Sequence, residues 1–539
     1  MADTGTNAET VTLTIDGQDV TVEKGTTILQ AAEAMGNRVP HYCYHPGLTA
    51  PAQCRLCLVE VEGAPKLQAS CVTQASDGQV VHTQSEKALT QRKGVLEFYL
   101  ANHPLDCPIC DQSGECKLQD YVHAEGRKRG RSREPKRVFG RDDFGGDVLF
   151  YGDRCVMCTR CVRFMNEIEQ NPLLTVVERG NRSVIDTFFD EGLETADFAG
   201  NVVDICPVGA LVSKDFLHKA RAWDLDHTPS ICPNCSQGCN IDLHTRDNRV
   251  QRLKPRTNLD VNQHWMCDYG RHRYDWMNRG DRVEAPLTRA ADESMTRASG
   301  WNEALEPLAG RLDELKGAEV RAVASPFASN EEMASLKALV DALGGGQIRY
   351  RSPRTDEEIP LPGFPTLVRR RDLAPNVKGA EILGLTRVGD DAAEGGLEDL
   401  DDFEGILLVV GDELADQPDD FGSSAGLFIY LGQYPSPATR TAHGILPIST
   451  HAEQEGTFTN HGGRVQRFWP GTHPPGAARP GWLVMAALRA HLTGSAVPAG
   501  AAEMFEEAAR SVPEFQGLGY PHLGTRGAVI NEPVKLPGT

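Results

Sequence analysis

Fifteen cysteines fall between Cys43 and Cys267 and none follows, so the front half of this chain folds around thiols and the back half without them. They divide into three groups of four and one of three. The group of three reads His103-Pro-Leu-Asp-Cys107-Pro-Ile-Cys110-Asp-Gln-Ser-Gly-Glu-Cys116, with a histidine four positions before its first cysteine, where a fourth donor is missing. Fifteen thiolates and one imidazole make sixteen ligands, which suits four iron–sulfur clusters with none left over. An odd, clustered count in a chain of 539 residues, long enough for roughly three to four domains, fits a disulfide framework poorly. The start, Met-Ala-Asp-Thr-Gly-Thr-Asn-Ala-Glu-Thr, lacks the charged and apolar regions of a signal peptide. A cytoplasmic chain is therefore expected, in a compartment where thiols stay reduced and bind metal.

Charge and hydropathy remove other classes. A formal net charge of -20 leaves no basic face for nucleic acid, and partners are expected to be proteins. No stretch reaches the roughly 18 consecutive apolar residues of a membrane span. A local basic run, Arg127-Lys-Arg129, Arg131, Arg133, Lys136-Arg137 and Arg141, reads as a solvated loop; docking an acidic partner or offsetting cluster charge are the competing readings.

The chain opens with β-strand patterning. Val11–Ile15 alternates with period two, Asp16-Gly17 is a hairpin signal, and Val20–Val22 returns. A helix capped by Thr26 or Thr27 should present Ile28, Leu29, Ala31, Ala32 and Met35 on one face. Cys43, Cys54, Cys57 and Cys71 follow at intervals of ten, two and thirteen residues. The short loop Ala52–Cys57 is like that of plant-type ferredoxins, which favours a 2Fe-2S centre over structural zinc, whose ligands usually come as two short Cys-x-x-Cys units. Ser85 can then cap a helix running to about Ala101, with Ala88, Leu89, Val95, Leu96, Tyr99 and Leu100 inward, that delivers His103 to Cys107, Cys110 and Cys116. One neutral imidazole in place of a thiolate makes a 4Fe-4S cluster less negative and shifts its potential. His41 and His45 flank Cys43 but are surplus to its four thiolates.

Cys155-Val-Met-Cys158-Thr-Arg-Cys161 with distant Cys206-Pro207 reads as half of a double ferredoxin. Met165 occupies the slot of the second cluster's cysteine, and Asp197 through Asp204 hold none, so one 4Fe-4S cluster survives. The last group, Cys232, Cys235, Cys239 and, after 27 residues, Cys267, suits a third 4Fe-4S cluster; a zinc ribbon competes more strongly here than elsewhere. Beyond about residue 290 the pattern is α/β: Val320–Ala324, Ile406–Val410 and Leu427–Leu431 are short apolar strands, and 330–343 is helical. Residues 354–404, rich in Asp, Glu, Gly and Pro, are expected to form loops, and the tail after about 495 carries no signal. Gly344–Gly346 and Gly462-Gly463 sit outside any nucleotide fingerprint.

This order and spacing, with phrases such as Cys54-Arg-Leu-Cys-Leu-Val-Glu60, Asp106-Cys-Pro-Ile-Cys110 and Asp204-Ile-Cys-Pro-Val-Gly-Ala-Leu211, resembles the large iron–sulfur subunit (the G subunit, 75 kDa type) of bacterial NADH:quinone oxidoreductase, respiratory complex I, strongly up to about residue 290. Ala374–Ala380 and Glu455–Gln466 resemble the molybdopterin oxidoreductases, although this region is shorter than a complete cofactor-binding unit and offers no cysteine for molybdenum. The resemblance implies a multidomain α+β and α/β chain. A 2Fe-2S ferredoxin-like β-grasp domain would span 1–84, a 4Fe-4S domain with one histidine and three cysteine ligands 85–145, and a half-vacant ferredoxin-like 4Fe-4S domain 146–225. A 4Fe-4S domain of molybdopterin-oxidoreductase type (226–290), a degenerate α/β domain (291–495) and a tail (496–539) would follow.

It further implies electron relay without a catalytic site in this chain. Electrons would leave FMN, reduced by NADH in a partner flavoprotein, pass the His103 and Cys155 groups with the Cys43 group as a neighbouring centre, and continue through other peripheral-arm subunits towards quinone. The Cys232 cluster would lie off this path, no molybdenum cofactor would be bound, and the chain would sit peripherally at the cytoplasmic face of the membrane, held by partners. The alternatives are an iron hydrogenase or molybdenum formate dehydrogenase, the relay subunit of a soluble NAD-linked hydrogenase or formate dehydrogenase complex, and a structural zinc protein.

Overall fold

Asp16 and Gly17 both take left-handed backbone (φ 50° and 84°), the conformation a two-residue hairpin turn requires, and Thr10–Ile15 pairs antiparallel with Gln18–Glu23 across them. Val80–His82 lies parallel to the first strand, and Leu58–Val61 and Gln68–Ala69 extend the sheet to five strands. The helix Ile28–Ala34 is capped by Thr27, whose side chain accepts from Gln30 N while Gln30 reaches back, an arrangement worth about 1 kcal/mol. Its Ile28, Leu29, Ala31 and Ala32, on the predicted helix face, pack with Leu13 and Ile15 of the predicted first strand and with Val59 and Val81. This is a β-grasp.

The computed structural model describes residues 9–187, 190, 192–290 and 294–531. Residues 1–8, most of the start read above for a leader, and 532–539 of the tail lie outside them. The chain divides into two compact units, Met1–Asp224 with Pro362–Phe364, and Leu225–Leu361 with Pro365–Thr539.

In the first unit, Ser85 caps the helix Glu86–Asn102 and His103 is its C-cap, as the sequence predicts. Ala88, Val95 and Leu96 are buried and Leu89, Tyr99 and Leu100 half-buried. Arg92, unanticipated, is fully buried: it pairs with Glu125 of the helix Lys117–Glu125 at 3.0 Å and donates to the Thr83 carbonyl. The basic run is the exposed loop expected, but it is moored. Arg127 and Arg131 both reach Glu97 (3.1 and 2.7 Å), and Lys136 Nζ donates to the helix-end carbonyls of Leu100 and Ala101 at 2.6 and 3.2 Å. A cation there complements the negative end of the helix dipole. A three-stranded antiparallel sheet (Arg141–Asp143, Val148–Tyr151, Leu211–Ser213) and a short helix, Arg160–Arg163, continued by the wider π-type turn Phe164–Ile168, complete the frame around the next cysteines.

The second unit begins with a three-stranded antiparallel sheet, Asp226–Ile231, Asn240–Arg246 and Arg249–Pro255. An eight-stranded sheet follows, in which Val320–Ala324, Ile406–Val410, Leu427–Gly432 and Gly444–Pro447 run parallel as neighbours, and Gln347–Tyr350 and Thr386–Arg387 extend the other edge. Every residue of Ile406–Val410 and Leu427–Gly432 is buried, which explains their unbroken apolar runs: helices and loops cover both faces. The order reverses between Val320–Ala324 and Ile406–Val410. A cavity of about 510 Å³ opens at the carboxyl ends there, lined by Ser325, Gly411, Gln433 and Ile448 among others.

Two expectations fail. Residues 354–404 are not all loop: they carry the hairpin Ile359–Leu361/Phe364–Arg369, the helix Val377–Ile382 and the strand Thr386–Arg387. The helix survives poor local propensity because Gly379 seats it against Asn330 and Asn376, where a Cβ would fall 2.2 Å from either amide oxygen. The uninformative tail contains the helix Ala501–Ser511, which buries Met504, Phe505 and Ala508 in the main core.

Candidate metal centres

Cys43, Cys54, Cys57 and Cys71 are all buried and converge at the edge of the β-grasp. Ala52 and Arg55, on either side of Cys54, have positive φ (52° and 55°) without being glycine. Such backbone costs about 1–3 kcal/mol per residue and persists where surroundings impose it; alternating hands turn successive N–H groups toward one point, the concavity that receives anionic sulfur. A hydrogen bond with Cys54 holds the Cys43 thiol far below its ordinary range, one with Cys71 lowers Cys57 to about 7, and bonding to Cys43 pushes Cys54 and Cys71 up.

The Cys155 group repeats the device: Met157 and Thr159 flank Cys158 at φ 50° and 58°, and Met157 N donates to Cys155 Sγ at 3.3 Å. All four thiols, from Cys155, Cys158, Cys161 and Cys206, line one small apolar cavity with Phe150, Ile185, Val208 and Leu211. Burial pushes each of them up, Cys206 to about 12. Water does not ionise four thiols in such a place; a cationic metal–sulfide core would replace their protons.

The segment that carries Cys110 and Cys116 touches the loop after Cys206. Pro207 O accepts from Lys117 N (3.1 Å), and Gly209 approaches so closely that a Cβ on it would lie 2.2 Å from Cys110 Sγ. Burial, aided by Arg154 and Lys136, lowers His103 to about 4, so the ring is neutral, the form that binds metal. Its Nδ1 is buried with no hydrogen-bond partner among the described residues, an orphaned atom that a metal bond or its accompanying acceptor would satisfy. Burial also raises Cys110 and Cys116, the latter to about 11. Cys107 is exposed.

In the second unit Cys232, Cys235, Cys239 and Cys267 are buried, and burial raises all four, Cys232 to about 12. Cys232 N donates to Cys239 O (2.8 Å) and Gly270 N to Cys267 Sγ (3.3 Å). A Cβ on Gly270 would lie 3.0 Å from Cys232 Sγ and 3.4 Å from Cys267 Sγ, so the backbone closes the cradle. Among the described residues no three His, Cys, Asp or Glu donors are gathered as for a single ion. In all four groups the chemistry of the donors fits a sulfide-bridged iron core.

Sequence reasoning did not identify the groups that join the first three. Tyr99 OH donates to Cys54 O (3.2 Å), Gln53 Nε2 to Met157 O (2.9 Å) and Thr159 Oγ1 (3.0 Å), and buried Arg154 reaches Asp106 at 3.1 Å. The available signal was position alone: Gln53 stands beside Cys54, and Arg160 and Arg163 straddle Cys161.

Family models match along the chain in the order of these sites: a 2Fe-2S iron–sulfur cluster binding domain at residues 8–86, the NADH-ubiquinone oxidoreductase-G iron–sulfur binding region at 92–131, and the ferredoxin-like domain of NADH-quinone oxidoreductase subunit 3 at 145–212. The molybdopterin oxidoreductase Fe4S4 domain matches 225–279 and the molybdopterin oxidoreductase domain 405–491. Fold and sites together define a modular iron–sulfur oxidoreductase chain. Its relatives are narrower in kind. The mitochondrial NADH-ubiquinone oxidoreductase 78 kDa subunit of Candida albicans is 32% identical over 603 residues, covering 89% of this chain and 82% of the relative. The G subunit of the NADH-quinone oxidoreductase of Rickettsia bellii is 39% identical, covering 62% of this chain and 48% of that protein. The mitochondrial NADH dehydrogenase [ubiquinone] iron-sulfur protein 1 of Solanum tuberosum is 43% identical, covering 62% and 45%. The matches to the last two thus span just under half of those relatives. The chain belongs to the family that unites the NADH-quinone oxidoreductase G subunit and the mitochondrial 78 kDa subunit. Among solved structures, a chain of an NAD+-reducing [NiFe]-hydrogenase in the H2-reduced state is 32% identical, with 39% of this chain and 90% of that chain covered, at a TM-score of 0.36.

Proposed function

We propose that this chain is an electron-relay subunit of an NADH:quinone oxidoreductase. Cys43, Cys54, Cys57 and Cys71 would hold a 2Fe-2S cluster, and three 4Fe-4S clusters would be held by His103/Cys107/Cys110/Cys116, Cys155/Cys158/Cys161/Cys206 and Cys232/Cys235/Cys239/Cys267. Such clusters supply one-electron carriers; the protein supplies burial, N–H donors and spacing. The observation that carries the reading is contiguity: the Cys155–Cys161 loop is tied by the Gln53 side chain to the Cys43 group on one side, and the loop after Cys206 touches the Cys110–Lys117 segment on the other. Three centres in touch through one middle member form a conduit. Membership in the family supports a partner flavoprotein carrying FMN and NADH, other peripheral-arm partners, a site at the cytoplasmic face of the membrane, and no molybdenum cofactor. No helix among the described residues is long and apolar enough to cross a membrane, in keeping with attachment through partners. Exposed Cys107, rimmed by exposed Leu105 and Ile109, suits hand-over to one of them.

The test is anaerobic purification followed by iron, zinc and molybdenum analysis and low-temperature EPR of the dithionite-reduced protein. About fourteen irons per chain with both binuclear and cubane signals are expected. Zinc in place of iron, or a colourless preparation, overturns the reading.

A further inference from the structure

The short helix Arg160–Arg163 places two arginines three residues apart, hence on one face, immediately around Cys161. Each divides its guanidinium between two metal sites. Arg160 Nη1 donates to Ile205 O (3.0 Å), next to Cys206, while its Nη2 donates to Tyr44 O, next to Cys43. Arg163 Nη2 donates to the carbonyls of two ligand candidates themselves, Cys43 O at 2.5 Å and Cys158 O at 3.3 Å, and its Nη1 donates to Thr49 O. Arg160 is only 3% exposed. Gln53 makes a further tie, from beside Cys54 to Met157 O, and Glu167 accepts from Thr49 N and Oγ1 at 2.9 and 2.5 Å.

A buried guanidinium is costly to desolvate, and surface packing between two loops needs none. Arg160 is buried and Arg163 half-buried, and both donate into loops whose thiolates carry negative charge, so they do more than pack. The planar fork fixes two carbonyls at once, which a lysine's point charge cannot do, and the positive charge lies beside both cluster sites, where it favours the extra negative charge of the reduced state in each. Resting on the relay reading above, we propose that Arg160 and Arg163 are positioning residues that clamp the Cys43 loop to the Cys155 loop and raise the reduction potentials of the two centres together. A single helix turn thereby keeps the pair matched: whatever moves one moves the other in the same direction.

The experiment is EPR-monitored dithionite titration of purified, cluster-loaded protein. Arg163→Gln keeps amide donors and removes the charge. At a fixed ambient potential its reduced-to-oxidised ratio should fall about tenfold at both the Cys43 and the Cys155 centres, equivalent to 59 mV for one electron, while the Cys232 centre stays put. Arg163→Lys restores the charge and should return both potentials to wild type. Intact clusters with unchanged potentials in Arg163→Gln, or a shift at the Cys155 centre alone, overturn the proposal. Should Arg163→Gln lose iron on purification, Arg163→Lys decides: potentials at the wild-type values support the joint tuning by charge, and a joint fall with clusters retained overturns it. Wild-type protein lacking paramagnetic centres would instead be a failure of the relay reading.

Discussion

Adding one methyl group at Gly209 should remove one metal centre and leave its neighbours. A Cβ built there falls 2.2 Å from Cys110 Sγ and 3.1 Å from Gln112 Cβ. Non-bonded heavy atoms prefer about 3.5–4.0 Å, so the thiol or the loop after Cys206 must retreat by roughly 1.5 Å. A metal–sulfur bond of about 2.3 Å does not stretch by that amount. Gly209 is outside the left-handed region, so alanine brings no backbone penalty and the effect isolates the contact. Overpacking of this kind costs about 1–3 kcal/mol in stability, too little to unfold the unit. Gly209→Ala is therefore expected to fold, to fall from about fourteen to about ten irons, and to lose the EPR signal of the His103 centre while keeping that of the Cys155 centre. Gly94→Ala is the matched control: its Cβ meets nothing within 4 Å in the middle of the helix Glu86–Asn102, and it should stabilise by up to about 1 kcal/mol. Full iron content and an unaltered spectrum in Gly209→Ala would refute the placement of Cys110 against that loop.

Four other outcomes are expected. His103→Cys should keep a cluster with an altered potential and His103→Ala should weaken it; identical spectra in wild type and both variants would remove His103 from the ligand set. Arg92→Met, which leaves Glu125 buried without its cation, should lower the denaturant midpoint by an amount equivalent to about 3–5 kcal/mol, and adding Glu125→Leu should recover most of it. Burial raises Glu331 to about 7 against its ordinary 4.5, although Thr457 N, Thr457 Oγ1 and Tyr520 OH donate to it. The folded state then holds a proton that the unfolded state releases, so this group's contribution is full below pH 4.5 and is lost as pH rises to about 7, by about 3 kcal/mol. The stability difference between wild type and Glu331→Gln, from denaturant melts at pH 4.5 and 7, should shrink accordingly. Ser329→Ala removes the side chain that accepts from Glu332 N and should cost about 1 kcal/mol in the same melts.

What could be read in advance was local. The hairpin at Asp16-Gly17, the caps at Thr27 and Ser85, and the strands Val320–Ala324 and Ile406–Val410 each follow from a few neighbouring residues, because turn geometry, capping and buried-strand runs are settled within a short window. The closely spaced cysteines, such as Cys54/Cys57 and Cys155/Cys158/Cys161, stood out for the same reason, since a short loop has a fixed spacing. Arg92, Arg160 and Arg163 were not: an arginine in sequence reads as solvent-facing, and only tertiary packing shows that Glu125, Ile205 or Cys43 waits for it. The helix Val377–Ile382 escaped because its support comes from Asn330, far away in the chain. The tail helix Ala501–Ser511 has its apolar face, but that face gains meaning only from the core it joins.

Of the fifteen thiols, Cys107 alone stands open to solvent. Oxidants attack exposed sulfur first, so if these thiols hold iron as proposed, the chain freed from its partners should corrode from this corner inward, shedding the iron nearest the outside while the interior stays sound. On the proposed relay reading, a neighbour that exchanges electrons there would serve equally as a shield against air.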